Sequence, residues 1–334
     1  MAINPSARAW NPAYAGQERG LLIMSKTGMY ELISKNKRES WLLVFGMIIF
    51  VGVIAYVFGL WFGGKQQGQQ YAIMFASMGL IFAGIGAMIS YFTGTKVIMA
   101  VSRARKTDPN SEKQLHNIVE ELCIASALPK PDIYIIEDSA PNAFACGRNP
   151  EHSAIAITRG LMAKLNRNEL QGVIAHELSH VQNFDILFGT MVSVLVGTIV
   201  IMCDLSLRMS LFGGRRRRSN NNNSGQAGAI IAVIAIALMI LAPLFVKIIQ
   251  LAVSRKREFL ADSTGAKMTR NPDALASALS KIADDSDQLE AANRGTQHLY
   301  IVSPLKGKAH AVKQSLFSTH PPIAERVKRL REMT

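Results

Sequence analysis

Cysteine and charge are both scarce in this sequence. Its three cysteines, Cys123, Cys146 and Cys203, are odd in number and widely spaced, and no two form a CxxC pair. This pattern argues against a disulfide framework and favours a reducing compartment. Charged residues make up 18% of the chain, with a net charge of +13. Because no aromatic-basic recognition pattern accompanies that charge, nucleic acid is not expected as a partner.

Apolar residues, in contrast, form 49% of the 334-residue chain, a balance typical of membrane proteins. Two uncharged runs, 41–62 and 71–92, each have about the twenty residues that a membrane-spanning helix needs. Both runs have aromatic residues at their ends, as membrane interfaces favour: Trp41, Trp61, Tyr71 and Tyr91. The first run is too long and starts too late for a cleaved signal peptide. The sequence therefore predicts a transmembrane hairpin.

Basic residues predict how this hairpin is oriented. The connector KQQGQQ carries one basic residue, Lys65, whereas residues 1–40 carry six: Arg8, Arg19, Lys26, Lys35, Lys37 and Arg38. Four more follow the second run: Lys96, Arg103, Arg105 and Lys106. Because basic residues favour the cytoplasmic side, the N-terminus and the region beyond residue 94 are both expected in the cytoplasm.

Two further apolar runs, 186–203 and 227–246, flank the low-complexity segment GGRRRRSNNNNSG. Either both cross the bilayer, which would place Arg215–Arg218 outside against the charge rule, or they enter partway or pack on the soluble part. The chain then divides into a tail (1–40), a transmembrane hairpin (41–93), the first part of a soluble domain (94–185), a hydrophobic hairpin (186–246) and the second part of that domain (247–334).

The soluble part mixes helices and strands. Residues 131–138 and 153–158 are rich in β-branched residues and predict strands. Residues 111–128 have apolar side chains at helical spacing, and 271–285 carry Pro272 near a helix start. Because no βαβ repeat connects these elements, the sequence predicts an α+β domain with a small mixed or antiparallel sheet.

The motif HELSH lies on a helix with its own start signal. Asn166 can cap this helix, with Glu169 as its capping-box partner. His176 and His180 are four residues apart, so both imidazoles project from one face and can bind one zinc ion. Glu177 can then act as general base toward a zinc-activated water. The remaining histidines outside the C-terminal motif lack ligand spacing and are expected to be ordinary: His116, His152, His298 and His310.

A third zinc ligand has several candidates. A metzincin would place a histidine where this chain has Ile186. Asp185 and Asp204 are possible, but Glu258 and Asp262 in EFLAD are preferred, because they also share one helical face. Glu258 would complete a His2Glu site, while Asp262 would orient a ligand imidazole from behind. The alternative is a solvated acidic pair that balances neighbouring basic residues.

With these motifs the chain resembles the HtpX family of bacterial membrane zinc metalloproteases, relatives of the CAAX prenyl proteases. HELSH, EFLAD, SAPNAFACG (139–147) and FSTHPPIAER (317–326) carry the resemblance over nearly the whole chain. It implies a multi-pass protein of the bacterial cytoplasmic membrane, with a gluzincin domain facing the cytoplasm and one zinc per chain. Its implied activity is cleavage of misfolded or surplus membrane proteins, with unfolded polypeptides and the lipid bilayer as partners.

The resemblance also implies further site residues. Asn142, Ala143 and Phe144 would lie on an edge strand that pairs with substrate backbone, although PNA is also typical of a turn before a strand. His320 and Arg326 would stabilise the developing oxyanion. From the sequence alone, His320 is equally well a residue that precedes a proline-initiated helix.

Two other functions compete with this interpretation. A narrow processing protease, acting for instance on lipidated peptides, shares the chemistry, but its prenyl-protease relatives are expected to have more membrane spans. A membrane scaffold or transporter with structural zinc needs no catalytic base. Transporters usually place ionisable residues inside their spans, and all four apolar runs lack Asp, Glu, Lys and Arg.

Overall fold

The computed structural model describes residues 29–194, 255–285, 287, 289, 296, 299–302 and 320–333. The fourth apolar run, the second half of the third run, Arg215–Arg218, Asp204 and Cys203 lie outside these residues.

The N-terminal element is a helical hairpin. Helical backbone covers α1 (Met29–Val101), and a straight helix would separate Trp41 from Tyr91 by about 75 Å. Their ring centroids instead lie 5.9 Å apart. Likewise, a Cβ added at Gly59 would lie 2.6 Å from the carbonyl oxygen of Tyr71. The chain therefore reverses near the predicted connector, and a first arm (29–66) packs against a second arm (67–101).

The surface of this hairpin is strongly apolar. Among the described residues one stretch, Gln67–Val101, is long and apolar enough to cross a membrane, with a mean hydropathy of 2.1 over its best window. Large side chains on both arms face outward, among them Leu42, Ile49 and Phe82, of which Phe82 is 67% exposed. Such a surface marks contact with lipid or with a partner. Crossing of the bilayer by both arms stays a prediction.

A small mixed sheet lies at the centre of the remaining chain. Its strands are β1 (Arg105–Lys106), β2 (Asp132–Ile136), β3 (Ala143–Gly147) and β4 (Ser153–Thr158). They are ordered β1-β2-β4-β3, with β2 parallel to β4 and the other pairs antiparallel. The predicted α+β class and small sheet are confirmed, and β2 and β4 occupy the two predicted strand segments.

Seven helices follow α1 in the described parts of the chain. They are α2 (Lys113–Ser126), α3 (Arg159–Lys164), α4 (Arg167–Gln182), α5 (Asp185–Val194), α6 (Arg255–Thr269), α7 (Pro272–Asp284) and α8 (Ile323–Arg331). The predicted helices at 111–128 and 271–285 are α2 and α7. Helix α7 starts where expected, because the side chain of Asn271 accepts a hydrogen bond from the backbone of Ala274.

The sheet buries both of its faces. On one face Ile133, Ile135, Ile155 and Ile157 pack with α2, α4 and α7 in the main core. On the other face Phe144 and Cys146 pack with Ile98 and Met99, from the end of the second arm. The apolar hairpin is thus joined to the sheet through a buried interface.

Helix α5 connects the hairpin to the zinc-motif helix α4. It contains the first half of the third apolar run, and it begins immediately after a two-residue turn that follows α4. Leu187 and Met191 on one side pack against Val44 and Ala87 of the two arms. The apolar run therefore begins, within the described residues, as a helix that contacts the base of the hairpin.

Candidate metal centre

Helix α4 carries the two motif histidines on one face. The helix begins with the predicted capping box: Asn166 Oδ1 accepts from the backbone of Glu169 at 3.0 Å, and Glu169 Oε2 accepts from the backbone of Asn166 at 2.9 Å. Two turns further on, His176 Nε2 and His180 Nε2 lie 3.3 Å apart. The capping box fixes where the helix begins, and the helical period then places both Nε2 atoms on the same face of α4.

Helix α6 supplies a carboxylate at that point. Glu258 Oε2 lies 3.9 Å from His176 Nε2, and Glu258 Oε1 lies 3.7 Å from His180 Nε2. The three residues form the one group of potential metal ligands found among the described residues. Tetrahedral zinc, with bonds of about 2.0–2.2 Å, separates its ligand atoms by about 3.3–3.6 Å. The two Glu258 distances run to different oxygens and are somewhat longer than that, so the group can hold the zinc ion predicted from the sequence once the carboxylate moves closer to the imidazoles.

Helices α4 and α6 approach each other closely beside the first histidine. A Cβ added at Gly265 would lie 3.0 Å from the backbone nitrogen of His176. One turn further along α4, Ser179 Oγ donates to the carbonyl of Ala261 at 3.0 Å. The absence of a side chain at Gly265 permits the helix spacing that brings Glu258 to the histidines.

A carboxylate lies behind each imidazole. His176 Nδ1 is 3.0 Å from Asp262 Oδ1, as expected from the sequence, and His180 Nδ1 is 3.1 Å from Asp185 Oδ2. Because carboxylates accept, each Nδ1 carries a proton, and in the neutral imidazole the Nε2 atom presents a lone pair. With both imidazoles neutral, two lone pairs 3.3 Å apart favour a cation between them.

The sequence leaves Asp185 as an alternative third zinc ligand. In the structure it is not part of the group of potential metal ligands, which is His176, His180 and Glu258. The structure places it behind His180 instead, in the position that Asp262 has behind His176. This role of Asp185 is not predicted from the sequence. The available signal was a carboxylate just past the C-terminus of the histidine-bearing helix.

Arg326 lies behind the ligands rather than in the pocket. Its Nε and Nη2 donate to Asp262 at 2.8 and 2.7 Å, and its Nη1 donates to the carbonyl of Ile301 at 3.2 Å and lies 3.4 Å from Glu258 Oε2. The side chain is 0% exposed and does not line the pocket. This differs from the predicted contact with an oxyanion: Arg326 instead holds the carboxylates in position.

His320, the other residue of that predicted pair, does line the pocket. Its Nδ1 lies 3.2 Å from Glu258 Oε2. The structure therefore brings His320 to the ligand group, beside the space that a substrate would occupy. His116 and His152 lie elsewhere, bonded to Thr107 and Asn149 respectively.

The surrounding charges set the protonation of the buried groups. Burial raises the pKa of Glu258, but His320, Arg326 and His180 outweigh it and hold that pKa well below its usual range. Burial lowers the pKa of His180, but Asp185 and Glu258 overcome it and raise the pKa to about 9, so without a metal ion Nε2 also carries a proton, which a bound metal would displace. An anionic carboxylate next to the two imidazoles is the charge pattern that suits a divalent cation.

Glu177 lies beside the ligands and lines the same pocket. Burial raises the pKa of its carboxyl group, while the charges of His176 and His180 and a backbone hydrogen bond from Ala145 act in the opposite direction. A raised pKa suits a carboxylate that must accept a proton near neutral pH.

Strand β3 is at the edge of the sheet, beside the pocket. Residues 301–302 already occupy the start of that edge: Ile301 N–H donates to the Ala143 carbonyl at 3.0 Å, and Asn142 Nδ2 donates to the Val302 carbonyl at 2.9 Å. Phe144 buries its ring against Tyr300. Of strand β3, Ala145 lines the pocket, so the edge position nearest the ligands lies just beyond the three residues expected from the sequence.

The rest of the pocket wall is largely apolar. Ile186, Phe188 and Gly189 contribute to it from α5, together with Leu299 and Ile301. The apolar run that follows the zinc motif thus forms one wall of the site.

Comparisons with known proteins identify a family and several relatives. The model of peptidase family M48 matches residues 109–334. The chain is 41% identical over 311 residues to a Protease HtpX homolog of Thermoanaerobacter pseudethanolicus, covering 93% of this chain and 100% of that protein. It is 42% identical over 315 residues to the Protease HtpX homolog of Listeria monocytogenes serotype 4b, covering 91% and 100%. The crystal structure of S. mikatae Ste24p gives a TM-score of 0.45 at 19% identity, over 90% of this chain and 67% of that one.

Proposed function

Because this chain belongs to the HtpX proteases of peptidase family M48, we propose that it cleaves misfolded or surplus membrane proteins at the cytoplasmic face of a bacterial inner membrane. It is a membrane-bound zinc metalloprotease. The observation that carries the proposal is the triangle of His176, His180 and Glu258, with Glu177 beside it, at the base of an apolar hairpin.

The proposed ligands are His176 Nε2, His180 Nε2 and Glu258. When bound, zinc supplies a Lewis acid that polarises the scissile carbonyl and acidifies an attacking water. Glu177 accepts the proton of that water at its carboxylate and then passes it to the leaving amine nitrogen. Asp262 and Asp185 keep the two imidazoles oriented throughout, and Arg326 neutralises Asp262 and Glu258 from behind. His320, which faces the pocket, is the residue placed to contact the developing oxyanion.

The substrate is proposed to bind along the edge of β3. Ala145 lines the pocket there, and an extended peptide can add to a sheet edge without regard to its own sequence. The peptide would have to donate to β3 carbonyls, because the Ala145 and Gly147 N–H groups already donate to Glu177 and to Thr190 Oγ1. Ile186, Phe188 and Leu299 offer apolar surface to a substrate side chain. Backbone pairing with an apolar wall suits unfolded membrane segments, whose side chains are mostly apolar.

The position of the site relative to the hairpin supports the cytoplasmic orientation. The metal centre lies near residues 36–39, which precede the first apolar run, and near α5, which packs on the base of both arms. The basic residues that flank the two arms favour the cytoplasm for this base. A site at the base can receive a membrane segment as it leaves the bilayer.

Replacing Glu177 by Gln tests the proposal. In the full chain in detergent, Glu177→Gln should retain zinc but lower the cleavage rate of an unfolded membrane protein by at least about 100-fold, because the proton acceptor is lost. Zinc content and fragment release are measured together. Glu151→Gln, at an exposed position away from the site, should cleave at the unmodified rate.

Two results would contradict the proposal. Unchanged cleavage by Glu177→Gln would show that Glu177 is not the general base. A wild-type chain that binds no zinc would show that the three proposed ligands do not form a zinc site. A zinc ion with four protein ligands and no open coordination position would favour a membrane scaffold with structural zinc. Cleavage at one defined bond in every substrate would favour the narrow processing protease.

A further inference from the structure

One turn of the first arm contacts the metal centre, before the apolar run begins. Asn36, Lys37 and Glu39 each touch the segment that follows the zinc-motif helix or the start of α6. We propose that Asn36 and Glu39 are positioning residues for the metal ligands His180 and Glu258. The functional site then extends beyond residues 109–334, the part that the family model matches.

Asn36 connects the first arm to His180 through one carboxylate. Its Nδ2 donates to the carbonyl of Asn183 at 3.0 Å and to Asp185 Oδ1 at 2.9 Å. The other oxygen of Asp185 lies 3.1 Å from His180 Nδ1. Asn36 is 7% exposed, and its two amide hydrogens are both used. One side chain therefore caps the end of α4 and fixes the carboxylate that orients a ligand.

Glu39 makes a second connection, to the residue before the third ligand. Its Oε2 accepts from Arg257 Nη2 at 2.8 Å, and Arg257 Nη1 lies 3.6 Å from Asp185 Oδ1. Arg257 also places its guanidinium 5.5 Å from the ring centre of Phe188, a wall residue of the pocket. Glu39 thus holds the start of α6, which presents Glu258.

The turn between α4 and α5 is strained, and the first arm holds it. Phe184 has a φ of 60°, a left-handed conformation that a bulky residue rarely adopts. Lys37 Nζ lies 3.8 Å from the centre of its ring, and Asn36 bonds the residues on either side of it. Such strain persists where the surroundings hold it, often beside a functional site.

These contacts predict that changes in the first arm alter metal affinity. The inference rests on the proposed zinc site. Substituting outer partners of metal ligands typically weakens metal binding 10- to 100-fold. Asn36 acts through Asp185, so Asn36→Ala should weaken zinc binding about tenfold, at the lower end of that range. Asn36→Asp should bind zinc more weakly still, because a carboxylate of the same size would face Asp185 where the amide of Asn36 donates a hydrogen bond at 2.9 Å.

The order of these two variants separates positioning from packing. If Asn36 only fills space, the isosteric Asn36→Asp should be the milder change. Zinc affinity is measured on the full chain in detergent by chelator competition, and the visible spectrum of the cobalt-substituted chain reports ligand geometry. Glu39→Gln should also weaken zinc binding and change that spectrum. Arg38→Ala, at an exposed position on the same turn, is the matched control and should match the wild type.

The outcomes are distinguishable from failure of the proposed function. A wild-type chain without bound zinc overturns the proposed function. The positioning role alone is overturned if the wild type binds zinc and cleaves while Asn36→Asp binds zinc as tightly as the wild type, or more tightly than Asn36→Ala. If Asn36→Asp does not fold, Glu39→Gln decides: wild-type affinity and spectrum overturn the inference, and a loss in both supports it.

Discussion

Three charged side chains at the proposed metal site are almost fully removed from solvent. The guanidinium of Arg326 links the other two, with Nη2 2.7 Å from Asp262 Oδ1 and Nη1 3.4 Å from Glu258 Oε2. Such a buried charged group contributes little more to the free energy of unfolding than apolar side chains of the same size would. Removing one member, however, leaves an uncompensated charge in the interior. The cost of a substitution at this site is therefore dominated by what remains unpaired.

Arg326→Met tests this at the level of one residue. It leaves Asp262 buried without its bidentate partner, so the free energy of unfolding should fall by about 3–5 kcal/mol. Denaturant unfolding of the zinc-free chain in detergent measures it. Arg331→Met, at an exposed position on the same helix, is the control and should change stability by less than about 0.5 kcal/mol. Equal stability of the two variants would contradict the structural role of Arg326.

The sequence predicted which residues of the proposed metal site come together better than it predicted their hydrogen-bond partners. His176, Glu177 and His180 follow from helical spacing alone, because one helix fixes their mutual geometry. The position of Arg326 depends on how α8 packs on α6. A motif at the end of the chain could indicate proximity to the ligands, but not that the guanidinium lies behind Asp262 rather than in the pocket.

At the scale of elements, the site depends on the spacing of α4 and α6. Gly265→Ala would place a methyl group 3.0 Å from the backbone nitrogen of His176, and backbone cannot move aside as a flexible side chain can. We expect a loss of about 1–3 kcal/mol in stability and weaker zinc binding, because Glu258 moves away from the histidines. Unfolding curves and chelator competition measure the two effects.

Gly84→Ala is the matched control for that substitution. A Cβ added at Gly84 meets no atom within 4 Å, although the residue also lies in a helix. Its effect should be neutral, or stabilising by up to about 1 kcal/mol, because alanine favours helix. If Gly265→Ala behaved in the same way, the close approach of α4 and α6 would not limit the site.

Elements with local signals were predicted, and those without were not. Helix α4 has a capping box and β4 has a β-branched run, both readable within a few residues. Strand β1 is two residues long and is defined by its pairing with β2. Strand β3, with the sequence AFACG, has none of the β-branched residues that mark β4, and its place at the sheet edge came from family resemblance.

At the scale of the whole molecule, the hairpin fixes which parts of the chain share a side of the membrane. If both arms cross, Gln69, near the hairpin turn, lies on the side opposite Lys113 at the start of α2. In intact cells an impermeant thiol reagent should therefore label Gln69→Cys. It should label Lys113→Cys only after the cells have been permeabilised. Both variants carry Cys203→Ser, and the chain with that substitution alone is the background control, since Cys123 and Cys146 are buried. Labelling of Lys113→Cys in intact cells would contradict the proposed orientation.

The contact between the first arm and the metal centre was beyond sequence analysis for a physical reason. Asn36 and Asp185 are 149 residues apart, and their hydrogen bond depends on the packing of the hairpin, α5 and the sheet together. Composition and charge predicted a hairpin next to a zinc site. They contained no information on which side chains join the two.

The proposed site is assembled from parts made at different times. His176 and His180 leave the ribosome well before Glu258, and Arg326 follows Glu258 by a further 68 residues. At about 5–20 residues per second, several seconds separate the first ligand from the third. A nascent chain therefore carries two of its proposed ligands for several seconds before the third exists. The split order of the ligands delays assembly of the proposed metal site until translation has passed Glu258.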